Sequence, residues 1–184
     1  MNIPKHSLKN TVALLERTPA ALASLLRGLP ELWTHTNEGE NSWSAFEVLG
    51  HLIYGERTDW MPRVRIILQF GDTKTFEPFD RMGQVNEIEG KTLDNLLEEF
   101  ARLRAENLAE LEALKLTATD LQRRGRHPSQ GIVILSELLA AWAVHDLTHL
   151  HQISRIMAAQ YRDAVGEWSP FLGVLQCNGH SAPE

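Results

Sequence analysis

Trp142-Ala143-Val144-His145-Asp146-Leu147-Thr148-His149-Leu150-His151-Gln152-Ile153 lies within a run, Ile132 to Val165, that contains neither proline nor glycine. Apolar residues recur in it at helical spacing, so the segment is read as the longest helix of the chain. On a helix His145 and His149 stand four residues apart and nearly above one another, a spacing that lets two imidazoles reach one metal ion. The rest of the chain is then read for what it brings to that face.

With 184 residues, of which 43% are hydrophobic, the chain can bury one substantial core, and residues 1–184 are expected to form one domain. A formal charge of −6 disfavours binding to nucleic acid phosphates and anionic lipid. Cys177 is the lone cysteine and cannot form an internal disulfide, and no run is apolar enough to span a membrane. The polar start, with Lys5, His6, Lys9 and Asn10, lacks the apolar stretch of a signal peptide, so a cytoplasmic setting is expected.

The first element, from Leu8 to Leu26, reads as two short helices or one bent helix, because Thr18-Pro19 is an N-cap pattern in its middle. Leu29 to Glu40 is a loop by composition. Ser44-Ala45-Phe46-Glu47 fits a capping box, with Trp43 and Val48 placed as a hydrophobic staple. The helix it opens should run from about Ala45 to Phe70, bent by Pro62 and closed by Gly71. His51 lies inside that helix on an oddly polar, small-sided face with Ser44, Glu47, Tyr54, Gly55 and Thr58, which suits a cavity wall. Asp72 to Gly90 reads as a long loop of the kind that covers a site, and Leu93 to Leu114 as a third amphipathic helix with its Glu, Arg and Asn residues turned outward. Leu116 to Gln130 is a connector carrying the basic cluster Arg123 to His127, read as a solvated turn. The fourth helix should span about Ile132 to Ala164, followed by one short helix over Trp168 to Gln176 and a frayed tail from about residue 178. No strand pattern stands out. The sum is an all-α, four-helix up-and-down bundle with a short C-terminal helix.

His145 and His149, taken alone, could be ordinary core histidines. His51, on another helix whose face is already unusual, adds a third imidazole. Three ligands leave one side of an ion open, as catalytic sites do. His151 is six residues from His145, about 240° round the helix, and is read as non-ligating. His6, His35, His127 and His180 fall in terminal or loop segments and are read as surface residues. His145-Asp146-Leu147-Thr148-His149 resembles the zincin H-E-x-x-H motif with a shortened acid. Asp146 is nevertheless read as a surface carboxylate or a neighbour's hydrogen-bond partner, because losing a methylene draws it back from the ion. Tyr54, Gly55, Glu56 and Gln152 are expected to shape the pocket, with no residue assigned as acid or base.

Taken together, Trp43-Ser44, Val48-Leu49-Gly50-His51-Leu52 and Trp142 to His149, followed by Gln152-Ile153, resemble the DinB/YfiT-like superfamily over nearly the whole chain. The resemblance implies a four-helix bundle with a metal held by His51, His145 and His149, and it implies a homodimer. It also implies one of several activities, among them metal-dependent hydrolysis and transfer or isomerisation with low-molecular-weight thiols.

Three neutral imidazoles leave an ion its full charge, which eases proton loss from water or a thiol. The expected cofactor is one divalent transition metal ion, zinc or nickel ahead of iron or manganese, with a small thiol as a second candidate and a small molecule as the substrate. A non-catalytic metal-binding or sensing module is the alternative. Replacing His149 would separate either from a purely structural bundle, which would have no metal to lose.

Overall fold

The computed structural model describes residues 7–177; His6, His180 and the tail from residue 178 lie outside them. Among the described residues the helices are α1 (Leu8–Leu15), α2 (Thr18–Leu26), α3 (Glu31–His35), α4 (Ala45–Thr58), α5 (Trp60–Phe70), α6 (Gln84–Ile88), α7 (Leu93–Ala113), α8 (Leu135–Ala159) and α9 (Gly173–Gln176). Strands β1 (Arg124–His127) and β2 (Gly131–Ile134) form an antiparallel hairpin. Four rods make the bundle: α1–α2, α4–α5, α7 and α8. None of the described helices is long and apolar enough to cross a membrane.

Local chemistry explains most boundaries. The Ser44 hydroxyl accepts from the Glu47 backbone N–H at 3.3 Å, and the Glu47 carboxylate accepts from the Ser44 N–H at 2.8 Å, so the expected capping box opens α4. The expected bend at Pro62 is a one-residue interruption: Pro62 has no N–H for the Thr58 carbonyl, so α4 ends at Thr58 and α5 starts at Trp60, while the Asp59 N–H still reaches the Gly55 carbonyl and the Arg63 N–H the Asp59 carbonyl. The N-terminal segment is two helices, with Pro19 in the first turn of α2. Short helices interrupt both predicted loops, α3 within 29–40 and α6 within 72–90.

The bundle is the expected architecture, but its connectivity is not up-and-down. One apolar layer joins Leu22 and Leu26, Val48 to Ile53, Leu96 to Leu103, and Ile153 with Ile156. The other joins Leu15, Trp60 to Ile67, Leu111, and Leu135 to Ala143. The first and fourth rods therefore run one way and the second and third the other. The parallel pairing of the middle rods shows in Arg57 with Glu99 and Arg65 with Glu110, which advance together along α4–α5 and α7. This order requires residues 71–92 to travel back along the bundle, and α6 packs on α4 as they do.

The predicted absence of strands is also corrected. Arg123 to His127 is not a solvated turn: Arg124–His127 pairs with Gly131–Ile134, and Phe76 donates its backbone N–H to the Arg126 carbonyl at 2.9 Å. The fourth helix accordingly starts at Leu135 rather than Ile132, and it ends at Ala159 rather than Ala164. The hairpin closes one side of the cleft described next.

Candidate metal centre

α4 contributes His51 and α8 contributes His145 and His149, from rods that cross antiparallel, so all three rings meet between them. The His51 Nε2 lies 3.1 Å from the His145 Nε2, which lies 3.0 Å from the His149 Nε2. Ring centroids are 4.3–5.2 Å apart. Trp43 and Phe79 pack on the His51 ring, and Trp60 meets the His145 ring edge to face.

The protonation pattern follows from burial. Enclosure holds His51 down at about 3, with the His149 and Arg81 charges acting in the same direction. Burial lowers His145 far below the usual imidazole range, and His149, His51 and Arg104 add to it. His149 is lowered by burial too, against the pull of Gln152 and Asp146. All three rings are therefore neutral near pH 7. The His149 Nδ1 lies 2.7 Å from the Gln152 Oε1, an acceptor, which assigns the proton to Nδ1 and leaves Nε2 bare.

Three imidazole nitrogens facing one another fit a cation better than they fit each other. A shared proton can join only one pair at a time, whereas ligands about 2.0–2.1 Å from a tetrahedral ion stand about 3.3 Å apart, close to the spacing seen. The Nδ1 atoms of His51 and His145 are buried and, among the described residues, have no hydrogen-bond partner, so these residues offer the two rings no polar anchor beyond the other imidazoles. The donor set suits zinc, nickel, copper or ferrous iron.

The imidazoles line a cleft of about 1100 Å³ that also takes in Trp43, Gly55, Asp59, Trp60, Arg63, Phe79, Arg81, His127, Gln152, Arg155 and Cys177. Gly55 and Gln152 thus shape the pocket as expected, and Tyr54 supports it by packing on Phe79. Glu56 does not. It turns to the opposite side of α4, where its carboxylate accepts from Arg104 at 2.8 Å, Asn107 at 2.9 Å and the Trp142 indole at 2.9 Å.

Of the two readings of Asp146, the hydrogen-bond partner of a neighbouring group holds and the surface carboxylate does not. The side chain is neither on the surface nor beside the imidazoles' open side; it is 2% exposed and is held by the Arg104 guanidinium at 2.6 Å and the Thr18 hydroxyl at 2.6 Å. One step along a helix is about 100°, enough to turn Asp146 into the bundle core while His145 faces the cleft. Arg104 and Asn107, read from sequence as outward, point inward to meet Glu56.

His151 is half-buried and stands apart from the triad, and His35 is an exposed residue stacked on Phe46, both as read from sequence. His127 was misread as surface: it is half-buried at the cleft, its Nδ1 accepting from the backbone N–H groups of Ser129 and Gln130 at 3.3 Å. Asp59, Arg63 and Arg155 went unnoticed. The first two fall eight and twelve residues after His51, turned about 80° and 120° from it on an ideal helix, so periodicity alone did not place them beside it.

Comparison with known proteins adds the lineage. None of the curated proteins is similar in sequence. Among solved structures the chain is similar to YfiT from Bacillus subtilis, described as a probable metal-dependent hydrolase with an unusual four-helix bundle topology. The TM-score is 0.69 at 22% identity, over 89% of this chain and 91% of that one. It is also similar to TT2238, a four-helix bundle protein, with a TM-score of 0.58 at 20% identity over 80% of this chain and 98% of that one. These likenesses bear out the fold. The sequence profile of the DinB superfamily matches residues 14–153, a span that contains all three histidines, and the chain belongs to that superfamily.

Proposed function

We propose that His51, His145 and His149 hold one divalent transition metal ion and that the chain is a metal-dependent enzyme acting on a small molecule in the adjoining cleft. The observation that carries this reading is the convergence of three neutral Nε2 atoms from two helices at the wall of an open cavity. The description of YfiT as a probable metal-dependent hydrolase supports hydrolysis as the reaction. When bound, such an ion supplies Lewis acidity, making water or a thiol nucleophilic near neutral pH and polarising a carbonyl. The protein's own part is positional. Gln152 fixes the tautomer of His149, while Trp43, Trp60 and Phe79 exclude water from the ring faces and leave the cleft side open. On the cleft wall Glu38 accepts from the nearly buried Arg155, which fixes that side chain.

Thiol-dependent transfer is the second reading, favoured by the size of the cleft. About 1100 Å³ is at the upper end of small-molecule sites and gives room for a cofactor beside a substrate.

Elemental analysis of untagged protein tests the site. The wild type should carry about one ion per chain, and both His51→Ala and His149→Ala should lose it; undiminished metal in both variants would refute the triad. For the reaction, the metal-loaded protein is screened against esters, amides and electrophiles with and without added thiols. Turnover without thiol selects hydrolysis, turnover only with thiol selects transfer, and none with any substrate favours a binding module.

A further inference from the structure

His51, Gly55, Asp59 and Arg63 follow one another at four-residue steps and all line the cleft, so they form its floor along α4 and α5. Asp59 and Arg63 are each 8% exposed and form an ion pair, with the Arg63 Nη2 2.6 Å from the Asp59 Oδ1. Two details show that this pair is not an ordinary helix cap. Asp59 stands at the N-cap of α5, where aspartate normally bonds the backbone N–H of the second or third residue, yet its side chain makes no capping bond. The third residue of α5 is Pro62, which has no N–H to offer, so one of the two usual capping donors is missing, and the carboxylate pairs with Arg63 instead. The Arg63 guanidinium lies over the Phe76 ring, 5.3 Å from its centre, which holds it in place.

Among the described residues the pair makes no other side-chain hydrogen bond, and neither member has a buried polar atom left without a partner. Its unused carboxylate oxygen and N–H groups therefore open on the cleft. Burial pushes the Asp59 carboxyl up to about 6 despite the neighbouring guanidinium, as expected of a carboxylate short of donors. A buried ion pair is seldom kept for stability, since apolar residues of similar size usually serve as well.

We propose that Asp59 and Arg63 recognise the substrate by binding a carboxamide group it carries, at a distance from its reacting atom that bridges about two turns of helix. The pair has no net charge but offers an acceptor and a donor side by side. A carboxamide presents an N–H and a C=O along one edge and satisfies both. A carboxylate end would meet Arg63 but be repelled by Asp59, and an ammonium end the reverse, so neither gains as much. The distance follows from position: Asp59 is eight residues beyond His51, about 12 Å along the axis, and side chains lean back toward the helix start.

This inference rests on reading the imidazoles as a metal site, and the test separates the two. Zinc-loaded full-length protein is titrated by calorimetry with straight-chain hydroxamic acids of equal length that end in methyl, carboxamide, carboxylate or ammonium. The carboxamide probe should bind at least about tenfold more tightly than the methyl probe, the yield of a pair of hydrogen bonds to charged groups. In the Asp59→Leu/Arg63→Met double variant, which leaves no orphaned charge, that gain should vanish while the methyl probe binds as before. Equal binding of the methyl and carboxamide probes, a preference for either charged end, or a gain that survives in the double variant overturns the proposal. Failure of the methyl probe to bind the wild type strikes the metal reading instead. The pair is then judged on the Arg63 Nε–H resonance, which must shift with hexanamide and not with hexanoate; no shift with hexanamide overturns it.

Discussion

At His149 the two ring nitrogens have different partners: Nδ1 donates to Gln152 and Nε2 faces the other imidazoles. Gln152→Leu removes the hydrogen bond without touching a ligand, and its expected effect is a 10- to 100-fold loss of metal affinity with little change in unfolding free energy. Competition against a chelator measures the first and urea unfolding the second. An unchanged affinity would mean that the tautomer of His149 is set some other way. Arg104 is the opposite case, a residue whose loss should be felt by the fold before the site. It is 1% exposed and lies between Glu56 and Asp146, so Arg104→Met leaves two buried carboxylates without their cation. A loss of about 3–5 kcal/mol is expected in urea unfolding, and less than about 1 kcal/mol would show that the cluster takes up water instead. The two residues also differ in how they could be read. His145 and His149 announce themselves because spacing alone stacks them. Arg104 does not, since an arginine amid Glu and Asn on an amphipathic helix is ordinarily solvated. What turns it inward is the pair of acids on α4 and α8, which no local pattern reveals.

At the level of elements, α6 clamps the connection 71–92 onto α4, and two glycines make the contact possible. A Cβ at Gly50 would stand 2.4 Å from the Ile88 Cγ2 and 3.3 Å from the Gln84 carbonyl; one at Gly83 would stand 2.3–2.5 Å from the Tyr54 ring. Gly50→Ala should therefore cost about 1–3 kcal/mol and speed hydrogen exchange in α6 more than in α7, because α6 must lift off to make room. Exchange that rises equally in both would show that the crossover and the bundle open together. The start of α4 was legible because its capping box is local chemistry. The hairpin was not: Arg-Gly-Arg-His has no alternation of apolar residues, and only Gly125 of β1 is buried. Its strand character comes from pairing with Gly131–Ile134 and from the close approach of Ile67 and Phe76, whose side-chain atoms lie within 2.6–2.8 Å of where a Gly125 Cβ would be. Rod order was hidden for a related reason. Helical periodicity tells which face is buried but not which rod it meets, and only the length of segment 71–92 hinted at a crossover.

For the molecule as a whole, burying three neutral imidazoles links the fold to pH. Burial lowers all three histidines in the folded chain, His51 to about 3 from an ordinary 6.5. The unfolded chain therefore binds more protons between those values. The stability gained from keeping the rings neutral is present above pH 6.5 and is lost as pH falls toward 3. Each proton taken up on unfolding steepens the loss by about 1.4 kcal/mol per pH unit. Asp59 works against it. Its carboxyl is raised from 3.8 to about 6 in the folded state, so the folded chain binds that proton first, and its contribution favours folding on the acid side and fades as pH rises through 6. Three histidines outweigh one aspartate, so metal-free protein should lose stability from pH 6.5 to 4.5 at a rate approaching two net protons. Urea unfolding with a chelator present, at half-unit pH steps, measures the slope; a flat profile would mean that the rings are protonated in the folded state. His149→Ala should reduce that slope, because one proton-binding difference is gone and its neighbours are less enclosed. Zinc in excess should raise the urea midpoint of the wild type at pH 7 and leave that of His149→Ala where it was, since an ion that binds only the folded chain stabilises it in proportion to the logarithm of its concentration over its dissociation constant. A zinc shift that persists in the variant would place the stabilising ion elsewhere on the molecule, while a shift lost together with the acid slope would trace both to the same enclosed ring.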